Sequence, residues 1–123
     1  MAERKTILVV DDDPDIRFFC TTVLGGAGYN VLTADSGDTG LEMARTENPD
    51  LIILDIIMER LDSGYRVAEA LSGKIPIILL SSILNESDQI FDPKDLPVSV
   101  VLSKPISPKM LRDTVTQVLN AGA

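Results

Sequence analysis

The chain has no histidine, no tryptophan, a single cysteine and only 4% aromatic residues. Without histidine it has no Ser-His-Asp triad and no His-ligated zinc, and it cannot itself carry a phosphohistidine. Cys20 has no second cysteine to pair with, which fits a reducing compartment. Basic residues are scarce as well. Eleven Lys and Arg against nineteen Asp and Glu leave a net charge of −8, the reverse of the basic face that nucleic-acid binding needs. No run of apolar residues is long enough to span a bilayer, and Met1-Ala2-Glu3-Arg4-Lys5 is not the apolar stretch of a signal peptide. The expectation from these absences is a cytoplasmic protein with no membrane segment and no direct contact with nucleic acid.

What is present is globular. A hydrophobic fraction of 45% in 123 residues supports one buried core but not two ordinary domains, so residues 1–123 are read as one domain. Apolar runs alternate with helix-period segments along its length. Thr6-Ile7-Leu8-Val9-Val10 reads as a strand that stops at Asp11. Ile16, Phe19, Cys20, Val23 and Leu24 recur at helical spacing over 14–24, and Gly25-Gly26-Ala27-Gly28 ends that helix. A second strand covers 31–34, and Ser36 caps a helix that ends before Pro49. Leu51-Ile52-Ile53-Leu54 is a third strand, again followed by an aspartate, Asp55. A short helix is expected over 65–71, a strand over 75–80 and a strand over 98–102. Ser107 with Pro108 opens a last helix that places Leu111, Val115, Val118 and Leu119 on one face. Between them, residues 83–97 have weak periodicity and two prolines, which leaves room for a short or broken helix only. Continuous apolar strands are what a parallel sheet covered on both faces requires. The pattern predicts an α/β doubly wound (βα)5 sandwich whose five-stranded parallel sheet has the order 2-1-3-4-5.

Ligands of such a sheet bind at the carboxyl ends of the strands, beside the point where strand order reverses. Leaving those ends are Asp11 and Asp12 after strand 1, Asp55 after strand 3, Ser81 after strand 4 and Lys104 after strand 5. Three converging carboxylates must either be protonated or be neutralised by a cation. Hard oxygen donors without histidine or nearby cysteine favour Mg²⁺. A lysine and a hydroxyl at the same rim supply charge neutralisation and a hydrogen bond for a transferred phosphoryl group. Asp55 is then the nucleophile, since a carboxylate can form an acyl phosphate. Taken singly, each residue has a plainer role. Asp11-Asp12-Asp13-Pro14 suits a helix N-terminus, Asp55 suits a turn, and Ser81 and Lys104 suit solvated loops. Their joint placement after four strands of one sheet is what points to function.

Val9-Val10-Asp11-Asp12, Leu54-Asp55 with Met58 downstream, Ser81-Ser82 and Lys104-Pro105 resemble the motif set of response-regulator receiver domains, in order and over essentially the whole chain. The resemblance implies the flavodoxin-like form of the fold, as in chemotaxis regulators. It also implies that Asp12 binds Mg²⁺ directly, Asp11 binds it mainly through water, and the backbone carbonyl of Ile57 completes the metal shell. Asp55 would accept phosphate from a sensor histidine kinase or phosphotransfer protein, Ser81 would hydrogen-bond the phosphoryl group, and Lys104 would pair with it. The output would be a conformational change passed to a downstream protein target. The chain would catalyse only its own phosphorylation and dephosphorylation. It would be either a stand-alone regulator, which the start at Met1 favours, or a piece of a longer protein.

The chain departs from the family pattern in three places. Glu59 stands where a proline usually follows the methionine, the loop over 59–64 is one residue longer than usual, and Val101 replaces an aromatic residue that often reports switching. No catalytic group is touched. The usual signalling face is atypical, and no dimer geometry is carried over. Ile57 and Ile83, two residues beyond Asp55 and Ser81, are apolar and cannot hydrogen-bond an attacking water, so self-dephosphorylation is expected to be slow. Two other functions compete. In the first, Asp11-x-Asp13 after a first strand resembles haloacid-dehalogenase-like phosphatases, although that fold needs a longer chain and a cap. The second is a degenerate receiver acting as a binding module, against which stands the presence of all five site residues.

Overall fold

Alternating apolar segments and capped helices give the layered arrangement their patterning demands. The computed structural model describes residues 4–55, 75–81, 100–103 and 106–121, with the main chain alone for Ser81, Val100, Val101, Ser103 and Ala121. Chain order is β1 (Thr6–Val10), α1 (Pro14–Gly26), β2 (Asn30–Ala34), α2 (Gly37–Glu47), β3 (Leu51–Asp55), β4 (Ile77–Ser81), β5 (Val100–Ser103) and α3 (Pro108–Ala121), the labels counting described elements. All pairings are parallel, in the order β2-β1-β3-β4-β5. This is the expected α/β fold and strand order. The helix expected over 65–71 and the irregular stretch over 83–97 lie outside the described residues.

Successive side chains of a strand face opposite sides, and the core divides accordingly. Leu8, Val10, Ile52, Leu54, Ile77 and Leu79 pack with Ala44 of α2 on one face. Ile7, Val9, Leu51, Ile53, Ile78 and Leu80 pack on the other with Cys20 and Leu24 of α1 and Leu111, Val115 and Val118 of α3. Every residue of β3 is buried because it runs mid-sheet between two helical layers. β2, at the edge, is only partly covered.

The helix ends follow local chemistry. Asp13 caps α1, its side chain accepting the Asp15 amide at 2.9 Å. Ser36 caps α2 through the Thr39 amide at 3.2 Å, and Ser107 Oγ accepts the Met110 amide at 3.1 Å. α1 runs two residues past Leu24, through Gly26. The chain reverses at Gly28, whose φ of +98° suits glycine, and Tyr29 N–H reaches back to the Leu24 carbonyl at 3.1 Å. α2 ends on Asn48 in the left-handed region, φ 48°, which asparagine tolerates better than most residues.

Strand ends shift by one or two residues from the sequence reading. Pro76 has no amide for the ladder, and β4 starts after it at Ile77, although the Pro76 carbonyl still accepts Ile52 N–H at 3.0 Å. Asp55, Ser81 and Ser103 are the last residues of their strands. At the opposite end of the sheet Asp50 ties β3 to β1. Its Oδ2 accepts the Thr6 amide at 2.8 Å, and its own amide donates to the Thr6 carbonyl at 2.8 Å.

α2 lies close against β1 at Gly40, where an added Cβ would sit 2.7 and 2.8 Å from the Val10 methyls. Both Val10 methyls are branched at Cβ and stiff. Gly40→Ala should lower stability by about 1 kcal/mol net, overpacking of ~1–3 kcal/mol exceeding a helix-propensity gain of ~1 kcal/mol. Gly25→Ala, with nothing within 4 Å of its Cβ, should instead raise stability by about 0.5–1 kcal/mol. Urea denaturation of both variants checks the pair; shifts of the same sign would contradict the close approach at Gly40.

Candidate functional site

β1 ends at Val10, which pairs with Leu54 of β3. The next residue on each strand is an aspartate, so Asp11 and Asp55 leave adjacent strands at the same level. Asp11 is still tied to the sheet, its amide donating to the Ala34 carbonyl at 3.1 Å. Its Oδ1 accepts the Asp13 amide at 2.9 Å, closing a turn that leads into α1.

The three consecutive aspartates thus have different tasks. Asp13 is spent on the helix cap. Asp11 points inward and is buried, with 1% of its surface exposed. Asp12 is exposed, yet it can offer a carboxylate oxygen that lies within 4.8 Å of oxygens from both Asp11 and Asp55. Asp55 is itself buried, with 6% exposure. Taken alone, Asp11-Asp12-Asp13 suited a helix cap, and joint placement with Asp55 pointed instead to a site; Asp13 is the cap, and oxygens of the other two lie close to Asp55.

Asp55 pairs with Leu80 of β4, and Ser81 is the next residue along. Ser81 in turn pairs with Ser103, which immediately precedes Lys104. The main chain therefore ends β4 and β5 at the same edge of the sheet as Asp55. The Ser81 side chain, Lys104 and Ile57 lie outside what is described. Phe18 on α1 is 74% exposed and Met110 on α3 is 52% exposed.

The donor set fits a hard divalent cation. It consists of carboxylate oxygens alone, from three residues, close enough to share one ion, and two of the three are withdrawn from water. One participant escaped the sequence reading. Arg17, four residues past the cap of α1, donates from Nη1 to the main-chain carbonyl of Asp11 at 2.7 Å. A cation so near a helix N-terminus runs against the dipole, and that mismatch was the available clue. Among the described residues no helix is long and apolar enough to cross a membrane.

Comparison with known proteins adds the family. The response regulator receiver domain model matches residues 7–116. The chain is 36% identical over 119 residues to a probable transcriptional regulator, ycf27, of Porphyridium aerugineum, covering 95% of this chain and 49% of that protein. It is 36% identical over 118 residues to the alkaline phosphatase synthesis transcriptional regulatory protein PhoP of Bacillus subtilis, covering 94% and 48%. The chain therefore spans about half the length of these two regulators. By contrast, Protein PilH of Pseudomonas aeruginosa, 32% identical, is covered over 96% of its length. Among solved structures, the chemotaxis protein CheY4 of Vibrio cholerae superposes with a TM-score of 0.83 at 28% identity, covering 94% of this chain and 99% of that one.

The division of labour among the aspartates has a direct consequence. Asp13→Ala should cost about 1 kcal/mol of stability through the lost cap while retaining the rise in unfolding midpoint caused by Mg²⁺. Asp12→Ala should do the reverse, leaving metal-free stability within about 0.5 kcal/mol and abolishing most of the Mg²⁺ effect. Thermal unfolding with and without Mg²⁺ separates them. Loss of the Mg²⁺ effect in Asp13→Ala but not Asp12→Ala would contradict the assignment.

Proposed function

The chain belongs to the family of response regulator receiver domains, and on that premise we propose that it is a single receiver domain, residues 1–123, phosphorylated on Asp55 with the help of Mg²⁺. Receiver domains are signalling domains of two-component systems rather than classical enzymes, and they interact with histidine kinases or phosphotransfer proteins. The observation that carries the reading is the convergence of Asp11 and Asp12 from the end of β1 with Asp55 from the end of β3.

In this reading Asp12 and Asp55 would hold the ion directly and Asp11 mainly through water, and the family resemblance assigns the remaining protein ligand to the Ile57 carbonyl. Mg²⁺, when bound, neutralises charge on the phosphoryl oxygens and lowers repulsion between that group and the carboxylates. An oxygen of Asp55 attacks the phosphorus of a phosphohistidine on the donor; the O–P bond forms as the N–P bond breaks, and the imidazole leaves. Burial of Asp55 in a fixed strand limits the positions its carboxylate can take, which favours an in-line approach. Ser81 is the last residue of β4 and Lys104 comes next in sequence after β5, and the two residue types suit the hydrogen bond and the ion pair that would hold the new phosphoryl group. The chain's own catalysis is limited to gaining and losing that group. The signal is a conformational change read by a downstream protein, and the place of action is the cytoplasm.

Membership of the receiver family favours this reading over a haloacid-dehalogenase-like phosphatase, whose nucleophile would be Asp11. Intact-mass measurement after incubation with acetyl phosphate and Mg²⁺ should show one added phosphoryl group in the wild type and none in Asp55→Ala. A phosphoryl group that persists in Asp55→Ala and disappears in Asp11→Ala would favour the phosphatase. No modification of the wild type would favour a binding module. Once formed, the phosphoprotein should lose its label slowly, and Ile57→Asn should hasten the loss several-fold; an unchanged decay would contradict the part assigned to the apolar residue.

A further inference from the structure

We propose that Arg17 is a positioning residue of the acidic site. It would hold the turn after β1 in the one shape that lets Asp11 and Asp12 face Asp55. The inference rests on the reading of these three carboxylates as a divalent-cation site.

Three features of the turn lead to it. The bond from Arg17 Nη1 to the Asp11 carbonyl is short, 2.7 Å, as expected of a charged donor. Its acceptor belongs to a residue with 1% exposure, so a carbonyl deprived of this donor has little access to water in exchange. Asp11 is also fixed at two other points, its amide on the Ala34 carbonyl and its Oδ1 on the Asp13 amide. With Arg17, the residue is tied through amide, carbonyl and side chain, to β2, to α1 and to the turn itself. The braced carbonyl belongs to the peptide that joins Asp11 to Asp12, so rotation of that peptide would swing Asp12 away from Asp55.

The location is costly for other purposes. A cation one turn into α1 is disfavoured by the helix dipole, and a half-buried arginine gives up rotamer freedom to hold one geometry. Its positive charge, held on the main chain of Asp11, also disfavours a second cation nearby. Geometry and charge therefore make opposite demands on Mg²⁺ affinity. If Arg17 acted only through charge, its removal would tighten Mg²⁺ binding. If it positions the turn, its removal weakens binding in spite of the favourable change in charge.

The test is calorimetric titration of Mg²⁺ into the wild type, Arg17→Ala, Arg17→Lys and the core variant Val118→Ala, each well below its unfolding midpoint. Val118 is buried on α3, away from the turn after β1, and controls for general loosening. Arg17→Ala should weaken binding by about tenfold, the scale seen when a residue that orients metal ligands is removed. Arg17→Lys, which keeps the charge but not the planar fork, should fall between it and the wild type. Val118→Ala should bind as the wild type does. Equal or tighter binding by Arg17→Ala overturns the proposal, as does equal weakening in Val118→Ala. If the wild type itself binds no Mg²⁺, the cation-site reading fails, and the proposal fails with it; that result is distinguishable because it appears before any variant is compared.

Discussion

The parallel pairing of β1 with β3 is the constraint on which the site depends. Val10 opposite Leu54 puts Asp11 and Asp55 one residue beyond the same rung, on adjacent strands of the sheet. A slip of one residue would turn every side chain of a strand to the opposite face. It would separate the two carboxylates and would also move Ile7 and Val9, or Leu8 and Val10, into the wrong helical layer. The core and the site are therefore specified by the same register. Asp50 reinforces it from the far end, bonding Thr6 through both its side chain and its amide. Gly40 adds to this by bringing α2 down onto Val10, the residue directly before the acidic pair.

The arrangement opposes stability locally. Carboxylates withdrawn from water and set near one another are a poor choice for a fold selected on stability alone. Real proteins break such local rules at functional sites and compensate elsewhere. Here the compensation is an apolar sheet buried on both faces, with β3 covered throughout. The turn after β1 separates the two demands cleanly. Asp13 stabilises α1 as its cap, while its neighbours Asp11 and Asp12 are left to the acidic cluster.

Much of this was legible in the sequence, for physical reasons. β-branched and aliphatic runs long enough for buried parallel strands marked β1, β3 and β4, and Ser36 and Ser107 marked helix starts by the chemistry of capping. The aspartates stood out because each ended an apolar run. Residue type alone did not say which carboxylate did what, and the roles given to Asp11 and Asp12 came from the resemblance to receiver domains. Asp11, Asp12 and Asp13 are chemically identical, and only the turn geometry assigns the cap to the third. Nor did periodicity foresee Arg17, since a bond from a side chain to a main-chain carbonyl six residues earlier leaves no trace in hydrophobic pattern. Strand ends were misplaced by a residue or two, because a ladder continues into polar residues such as Asp55 and Ser81 as long as a neighbouring strand still offers pairs.

The central claim is that Asp12 and Asp55, with Asp11 behind them, hold one divalent cation. Anomalous diffraction from crystals of the full chain grown with Mn²⁺, which takes the same oxygen-rich octahedral sites as Mg²⁺, tests it most directly. One strong peak is expected about 2.1 Å from carboxylate oxygens of Asp12 and Asp55, with the Asp11 carboxylate next to it through water. A peak elsewhere, or none at the acidic cluster at saturating Mn²⁺, would contradict it.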